Sequence, residues 1–134
     1  MAAQVARRPI VEEGERVEAL RDRFEAAVLD ALPGTVVNAA GAPRLPNTTS
    51  LRFEGVRAGR MLPMLHGVAA STGAACSTAH DRPSHVLTAM GLTEAEARST
   101  VRFSLGRGTT AADVDEAAGR LAEAVHTVRR RVAA

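Results

Sequence analysis

The chain contains a single cysteine, Cys76, within the stretch STGAACSTAH of residues 71–80. Small and polar residues of this kind are typical of a loop, and His80 and Arg82 follow the cysteine. A cationic neighbour lowers the pKa of a thiol, and the thiolate is its nucleophilic form. The sequence therefore predicts an exposed, reactive loop cysteine whose thiolate His80 and Arg82 modulate. The alternative is a buried cysteine that acts as an inert small hydrophobic residue.

Arg102 is the second candidate for chemistry. In the stretch 101–105 the residues Val101, Phe103 and Leu105 alternate with Arg102 and Ser104, which is typical of a strand with one apolar face. A planar guanidinium on the opposite face can bind a carboxylate through two parallel hydrogen bonds. Two interpretations of Arg102 stay open: it belongs to a carboxylate-binding site, or it is a solvated arginine on the outer face of a sheet.

The amino-acid composition argues against several kinds of site and partner. All 17 basic residues are arginine, so the chain has no lysine, and its net charge is only +2. One cysteine excludes an internal disulfide, and neither the histidines nor the carboxylates have metal-site spacing. The basic residues form no stripe interleaved with aromatics, which argues against nucleic acid as a partner. Without a long apolar run or a signal-peptide pattern, we expect a cytoplasmic domain that does not enter membranes.

The elements that must position these residues follow from periodicity. Residues 1–9 lack a pattern and are predicted to form a flexible leader before one domain of residues 10–134. An apolar helical stripe begins at Val11 and ends at Pro33-Gly34. Strands are predicted at 35–38, 49–54, 68–71 and 100–105, and short helices at 58–66, 83–90 and 93–98.

The last helix has the clearest pattern. Apolar residues recur at steps of four and three from Val114 to Val132, and Thr110 with Asp113 can form a reciprocal N-cap. The order of helix, strands, helix, strand and helix predicts a small α+β domain. We expect a short, mostly antiparallel sheet with helices packed on one face.

The motifs and their order resemble the C-terminal small domain of group I cysteine desulfurases and the related selenocysteine lyases. The resemblance runs from Glu13 to Arg130, and its anchors are RLPNT at 44–48, GAAC at 73–76, PSHVL at 83–87, RFSLGR at 102–107, and TT at 109–110 with VD at 114–115. It implies the small domain of a fold type I enzyme that depends on pyridoxal phosphate (PLP).

The resemblance also implies roles for individual residues. Cys76 matches the loop cysteine that takes sulfur from substrate cysteine, leaves alanine, and passes the persulfide to an acceptor or scaffold protein, as in iron–sulfur cluster assembly. Arg102 matches the arginine that binds the substrate α-carboxylate. Asn47 matches a motif residue assigned here to substrate binding, although a role in turn structure is equally compatible with its position. Such enzymes are oligomers, so a homo- or hetero-oligomer is expected.

Departures from the family pattern keep alternatives open. Ser50 stands where the family usually has asparagine, and Gly-Ala-Ala-Cys followed by His80 is closer to the selenocysteine lyases, so both substrates stay open. A Schiff base with PLP requires a lysine amine. We therefore expect PLP on a separate large domain, and no activity from this chain alone. The alternatives are a PLP-independent persulfide carrier or docking module, and an inactive remnant.

Overall fold

The computed structural model describes residues 7–72 and 83–134, which form four strands and five α-helices. Their order is α1 (Arg7–Ala31), β1 (Thr35–Val37), β2 (Thr48–Phe53), α2 (Ala58–Met61), a 3₁₀ turn (Leu62–Met64), β3 (Ala70–Ser71), α3 (His85–Ala89), α4 (Glu94–Arg98), β4 (Thr100–Ser104) and α5 (Ala111–Ala133). The strands form one antiparallel sheet in the order β1-β2-β4-β3. The predicted α+β class is confirmed.

The core lies between one face of this sheet and the two long helices. Leu51 and Phe53 from β2 and Val101 from β4 are fully buried there. Phe24 of α1 meets Phe103 of β4 with ring centroids 5.1 Å apart. Each such side chain stabilises the fold by about 1.5–3 kcal/mol through removal of apolar surface from water. The alternation that predicted these strands thus also assigns their outer face, which carries Arg102.

The first helix begins earlier than the sequence predicts. It starts at Arg7, so residues 7–9, which were assigned to the leader, belong to the helix. Pro9 is compatible with this start because the first N–H groups of a helix have no intrahelical partner, and the proline lacks only such a group.

Helix α3 begins later than predicted. Pro83 was expected in its first turn, but the helix starts at His85. Ser84 is the N-cap and has extended backbone angles, φ −60° and ψ 122°, so the helix cannot include the proline before it. The predicted stop is confirmed, since Gly91 after the helix has φ 92° and takes the left-handed conformation that glycine tolerates.

Helix α5 begins with the predicted reciprocal cap. The Asp113 carboxylate accepts hydrogen bonds from the Thr110 hydroxyl at 2.7 Å and from the Thr110 N–H at 2.8 Å. In return the Asp113 N–H donates to the Thr110 hydroxyl at 3.2 Å. This cap fixes the start of the helix that covers the sheet.

Acid is expected to weaken this cap. The hydrogen bonds from Thr110, first from its side chain and then from its backbone, lower the pKa of Asp113 below the ordinary 3.8. Its contribution to stability is therefore complete above the unfolded-state pKa and is lost as the pH falls through the lower folded-state pKa. Urea unfolding of wild type and Asp113→Asn should show a stability difference that shrinks between about pH 4 and pH 2. A difference that does not change with pH would contradict this role.

Candidate functional site

Arg102 projects from the sheet face opposite the core. Its neighbours Val101 and Phe103 are buried, whereas Arg102 is exposed. In the sheet register Arg102 pairs with Ser50 of β2 on one side and with Ser71 of β3 on the other. Partners in an antiparallel ladder have Cα atoms about 4.5–5.5 Å apart. Arg102 therefore lies on an inner strand of the sheet, where pairing with two neighbouring strands fixes its backbone.

An open groove of about 550 Å³ lies over this face, and we call it the Arg102 groove. Its walls come from the segment after β1, the outer face of β2 and β4, the end of β3, and α3. Its lining residues are Asn38, Ala39, Pro43, Arg44, Leu45, Thr48, Ser50, Thr72, Ser84, Val86, Leu87, Met90, Thr100 and Arg102. One side of the groove is thus apolar, while the floor carries hydroxyl groups and a guanidinium.

Asn38 organises the hydroxyl-bearing floor. It is 8% exposed, and its amide nitrogen donates to the Ser50 hydroxyl at 3.1 Å and lies 3.5 Å from the Thr100 hydroxyl. The next residue, Ala39, has φ 56°, so the chain turns sharply out of β1 at this point. These contacts fix the side-chain orientations beside Arg102.

Two arginines line the groove, and their surroundings differ. Arg44 is ion-paired with Glu25, with 2.6 Å between Nη1 and Oε1. Arg102 has neither a hydrogen bond nor an ion pair within residues 7–72 and 83–134. No carboxylate belongs to the described groove lining. Among the described lining residues, Arg102 therefore offers one uncompensated positive charge, on a group suited to bidentate binding of a carboxylate.

Arg52 gives an instructive contrast on the same sheet face. It lies two residues after Ser50 on β2 and forms an ion pair with Glu96 of α4. The Thr93 N–H and hydroxyl, with a smaller contribution from Arg52, hold the pKa of Glu96 below its ordinary value. Arg52 thus makes a structural ion pair, whereas Arg102 has no such partner in the described part of the chain.

Asn47 lies outside the set of residues that line the groove. Its amide nitrogen donates to the Leu105 carbonyl at 3.3 Å, and its side-chain oxygen accepts a hydrogen bond from the Thr48 hydroxyl at 3.2 Å. The Leu105 N–H in turn donates to the Asn47 carbonyl at 2.8 Å. These contacts are those of a residue that extends the β2–β4 pairing, and its assignment to substrate binding stays a prediction.

The predicted nucleophile Cys76 and its neighbours His80 and Arg82 lie outside the described residues. The chain on both sides of them is described. Thr72 and Ser84 both line the Arg102 groove, and Thr72 directly follows Ser71, the strand partner of Arg102. The residues at both ends of the cysteine-bearing segment therefore lie at the groove that contains Arg102.

Comparison with known proteins identifies the family. Residues 10–117 match the model of the family described as aminotransferase class-V. The chain belongs to the class V aminotransferase family. This match extends from α1 into α5 and includes every residue that lines the Arg102 groove.

Within the class V aminotransferases, this chain is similar to proteins named cysteine desulfurase. It is 44% identical over 130 residues to the one from Frankia sp., covering 96% of this chain and 31% of that protein. It is 42% identical over 117 residues to the one from Gluconacetobacter diazotrophicus, covering 86% and 29%. A cysteine desulfurase IscS from Pseudomonas putida is 40% identical over 128 residues. The chain spans about a third of the length of these relatives.

Comparison with solved structures finds the same fold in NifS-like proteins. A NifS-like protein from Rickettsia africae superposes with a TM-score of 0.71 at 28% identity, covering 91% of this chain and 30% of that one. A second NifS-like protein gives a TM-score of 0.72 at 24% identity, which shows the shared fold. The class V assignment thus rests on the family match, and the solved structures show the same fold.

The described residues, 7–72 and 83–134, contain neither a candidate metal centre nor a candidate membrane-spanning helix. No group of three histidine, cysteine, aspartate or glutamate side chains in that part of the chain could hold a metal ion. The described helices also include none that is long and apolar enough to cross a membrane.

Sequence reasoning did not find the remaining residues of this class V groove. Asn38, Thr72, Ser84 and Thr100 line it, yet none was singled out from the sequence. One indication was present: Thr48 and Ser50 on β2 alternate with buried residues, as Arg102 and Ser104 do on β4. Aligning these two strands would have predicted a polar outer face around Arg102.

Proposed function

We propose that this chain is the sulfur-accepting domain of a cysteine desulfurase. The observation that carries the proposal is that Arg102, which has no partner among the described residues, and both ends of the Cys76 segment lie at one groove. In this proposal Arg102 binds the substrate α-carboxylate, and Cys76 receives the substrate sulfur. The similarity to cysteine desulfurases over 96% of the chain supports the same assignment.

Chain connectivity supports the role of Cys76. Cys76 follows Thr72, a groove residue, by four positions. Four residues span at most about 14 Å even when fully extended. Chain connectivity therefore permits the Cys76 thiol to reach a small amino acid whose carboxylate Arg102 binds. His80 and Arg82 are proposed to favour the thiolate form of Cys76.

The proposed transfer is balanced without an added oxidant. The Cys76 thiolate forms a bond to the sulfur of substrate cysteine, and the bond between that sulfur and the substrate Cβ breaks. The bonding electron pair stays with Cβ, which takes up a proton to give alanine. The sulfur remains on Cys76 as a persulfide, which a thiolate of an acceptor or scaffold protein then attacks.

This chain cannot hold PLP covalently through a side chain. The described groove lining presents hydroxyls, two guanidinium groups and an amide, and the whole sequence contains no lysine to supply an amine. The Schiff base on which PLP chemistry depends requires such an amine. We therefore propose that PLP is supplied by another polypeptide segment, equivalent to the remaining two-thirds of the relatives.

The rim of the groove supports such a covering segment. Leu45, Val86 and Met90 belong to the groove lining and are 68%, 55% and 48% exposed. Clustered exposed apolar side chains mark surfaces that another protein surface covers. The PLP-binding segment is the occupant that we propose, because the groove residues it would cover include Arg102. The complete enzyme is then expected to be an oligomer.

A borohydride reduction experiment tests whether PLP attaches to this chain or to the other polypeptide segment. Incubation of the isolated chain with PLP and then borohydride should leave no adduct on any side chain, as judged by mass spectrometry of its peptides. A chimaera in which this chain replaces the matching C-terminal third of the Frankia desulfurase should carry the adduct on a lysine of the Frankia part. A trapped side-chain adduct on the isolated chain would overturn the proposal.

A further inference from the structure

Among the described residues, Arg44 and Arg102 are the guanidinium groups that line the groove, and of these two Arg102 is the one without a partner in that part of the chain. Arg44 donates from Nη1 and Nη2 to the two carboxylate oxygens of Glu25 at 2.6 and 3.2 Å. Glu25 lies on α1 and is 8% exposed, so solvent screens this pair weakly. Arg102 has no partner within the described part of the chain. The Glu25 carboxylate therefore decides how much positive charge the groove presents.

Another arginine, Arg21, helps to fix the position of the Arg44–Glu25 ion pair. Arg21, 5% exposed, donates to the Leu45 carbonyl at 2.9 Å, and its Nε lies 3.9 Å from Glu25 Oε1. It also donates to Asp22 at 2.7 Å. Burial opposes its charged form, yet the hydrogen bonds to Asp22 and Glu18 raise the pKa of Arg21 above its ordinary value. The wall formed by Arg44 and Leu45 is thus attached to α1 at two points.

We propose that Glu25 is a specificity-determining residue of the Arg102 groove. By holding Arg44, it leaves Arg102 as the free guanidinium among the described lining residues and so selects ligands with one carboxylate over ligands with two. This inference rests on the proposed carboxylate role of Arg102. A second carboxylate in the wild-type groove would find no free cation among the described lining residues and so would gain no ion pair there.

The test is to release Arg44 and to measure binding of two simple probes. Glu25→Gln keeps the shape of the side chain but removes its charge, so Arg44 becomes free to meet a second carboxylate. Propionate and succinate are titrated into the labelled chain, and the Arg102 side-chain NMR signal is followed. The ratio of succinate to propionate affinity should rise about fivefold over wild type, as expected for one partly exposed ion pair.

The charge-neutral double variant Glu25→Gln/Arg44→Gln is the matched control, and it should return the ratio to the wild-type value. An unchanged ratio in Glu25→Gln, or a raised ratio that persists in the double variant, would overturn the proposal. If Glu25→Gln does not fold, Arg44→Gln decides. It should change propionate affinity by less than about twofold, and a loss as large as that of Arg102→Ala would overturn the proposal.

Failure of the underlying function would look different. If Arg102→Ala bound both probes as well as wild type does, the carboxylate role of Arg102 would be wrong. If Arg102→Ala lost binding while Glu25→Gln kept the wild-type ratio, only the role of Glu25 would be wrong.

Discussion

Replacement of Cys76 by serine is expected to abolish sulfur transfer while leaving substrate binding intact. A serine hydroxyl has the size of the thiol but cannot form a persulfide, and at neutral pH it is not ionised as a thiolate is. The proposed bond between Sγ and the substrate sulfur then has no nucleophile. Because Arg102 is unchanged, the affinity for substrate cysteine should be close to that of the parent.

The chimaera with the Frankia desulfurase provides the assay, since its remaining part can supply the lysine for PLP. Alanine formation gives the rate, and mass spectrometry detects one added sulfur atom on the Cys76 peptide. Ser77→Ala is the matched control because it changes the next residue of the same segment without touching the thiol. It should retain activity, whereas Cys76→Ser should form no alanine above background.

Two outcomes would contradict the proposed role. Alanine formation by Cys76→Ser at the parental rate would show that Cys76 is not the nucleophile. If alanine formed normally but the sulfur no longer reached an acceptor, Cys76 would be a persulfide carrier rather than the first acceptor. The second outcome would favour the PLP-independent carrier that the sequence also left open.

The elements that the sequence predicts well are those with a strong period. Alternation predicted the buried face of β2, with Leu51 and Phe53, and the opposite projection of Arg102 from β4. The steps of three and four predicted the buried stripe of α5, although Val132 in its last turn is 60% exposed. The alternation in the strands and the steps in α5 each show which side of one element faces the core. That side is determined by the sequence of the element itself.

The groove could not be predicted in the same way because it is assembled from distant segments. Helix α3 contributes Val86 and Leu87 to the sheet face opposite the long helices, and nothing in its five residues indicates that position. Arg44 was quoted as part of a motif, but its partner Glu25 lies 19 residues earlier on α1. Such pairings depend on tertiary packing, which single-sequence periodicity does not encode.

Replacement of Arg102 by alanine is expected to lower kcat/KM for cysteine in the chimaera by about 30- to 1000-fold. A charge-assisted bidentate pair with a carboxylate contributes roughly 2–4 kcal/mol, and its loss appears in kcat/KM as this factor. Arg102→Lys keeps the charge but loses the planar pair of donors, so it should recover only part of the loss. Unlike Cys76→Ser, the alanine variant should still form persulfide at saturating substrate.

The control for this experiment is Arg52→Ala. Arg52 lies on the same outer sheet face, but it is ion-paired with Glu96 and does not line the Arg102 groove. Its loss should lower the stability of the domain, seen as a lower Tm, and leave kcat/KM near the parental value. If Arg102→Ala behaved like Arg52→Ala, Arg102 would be an arginine of the sheet surface. A large effect confined to Arg102 would support a ligand at the groove, because both variants remove the same charge from the same face.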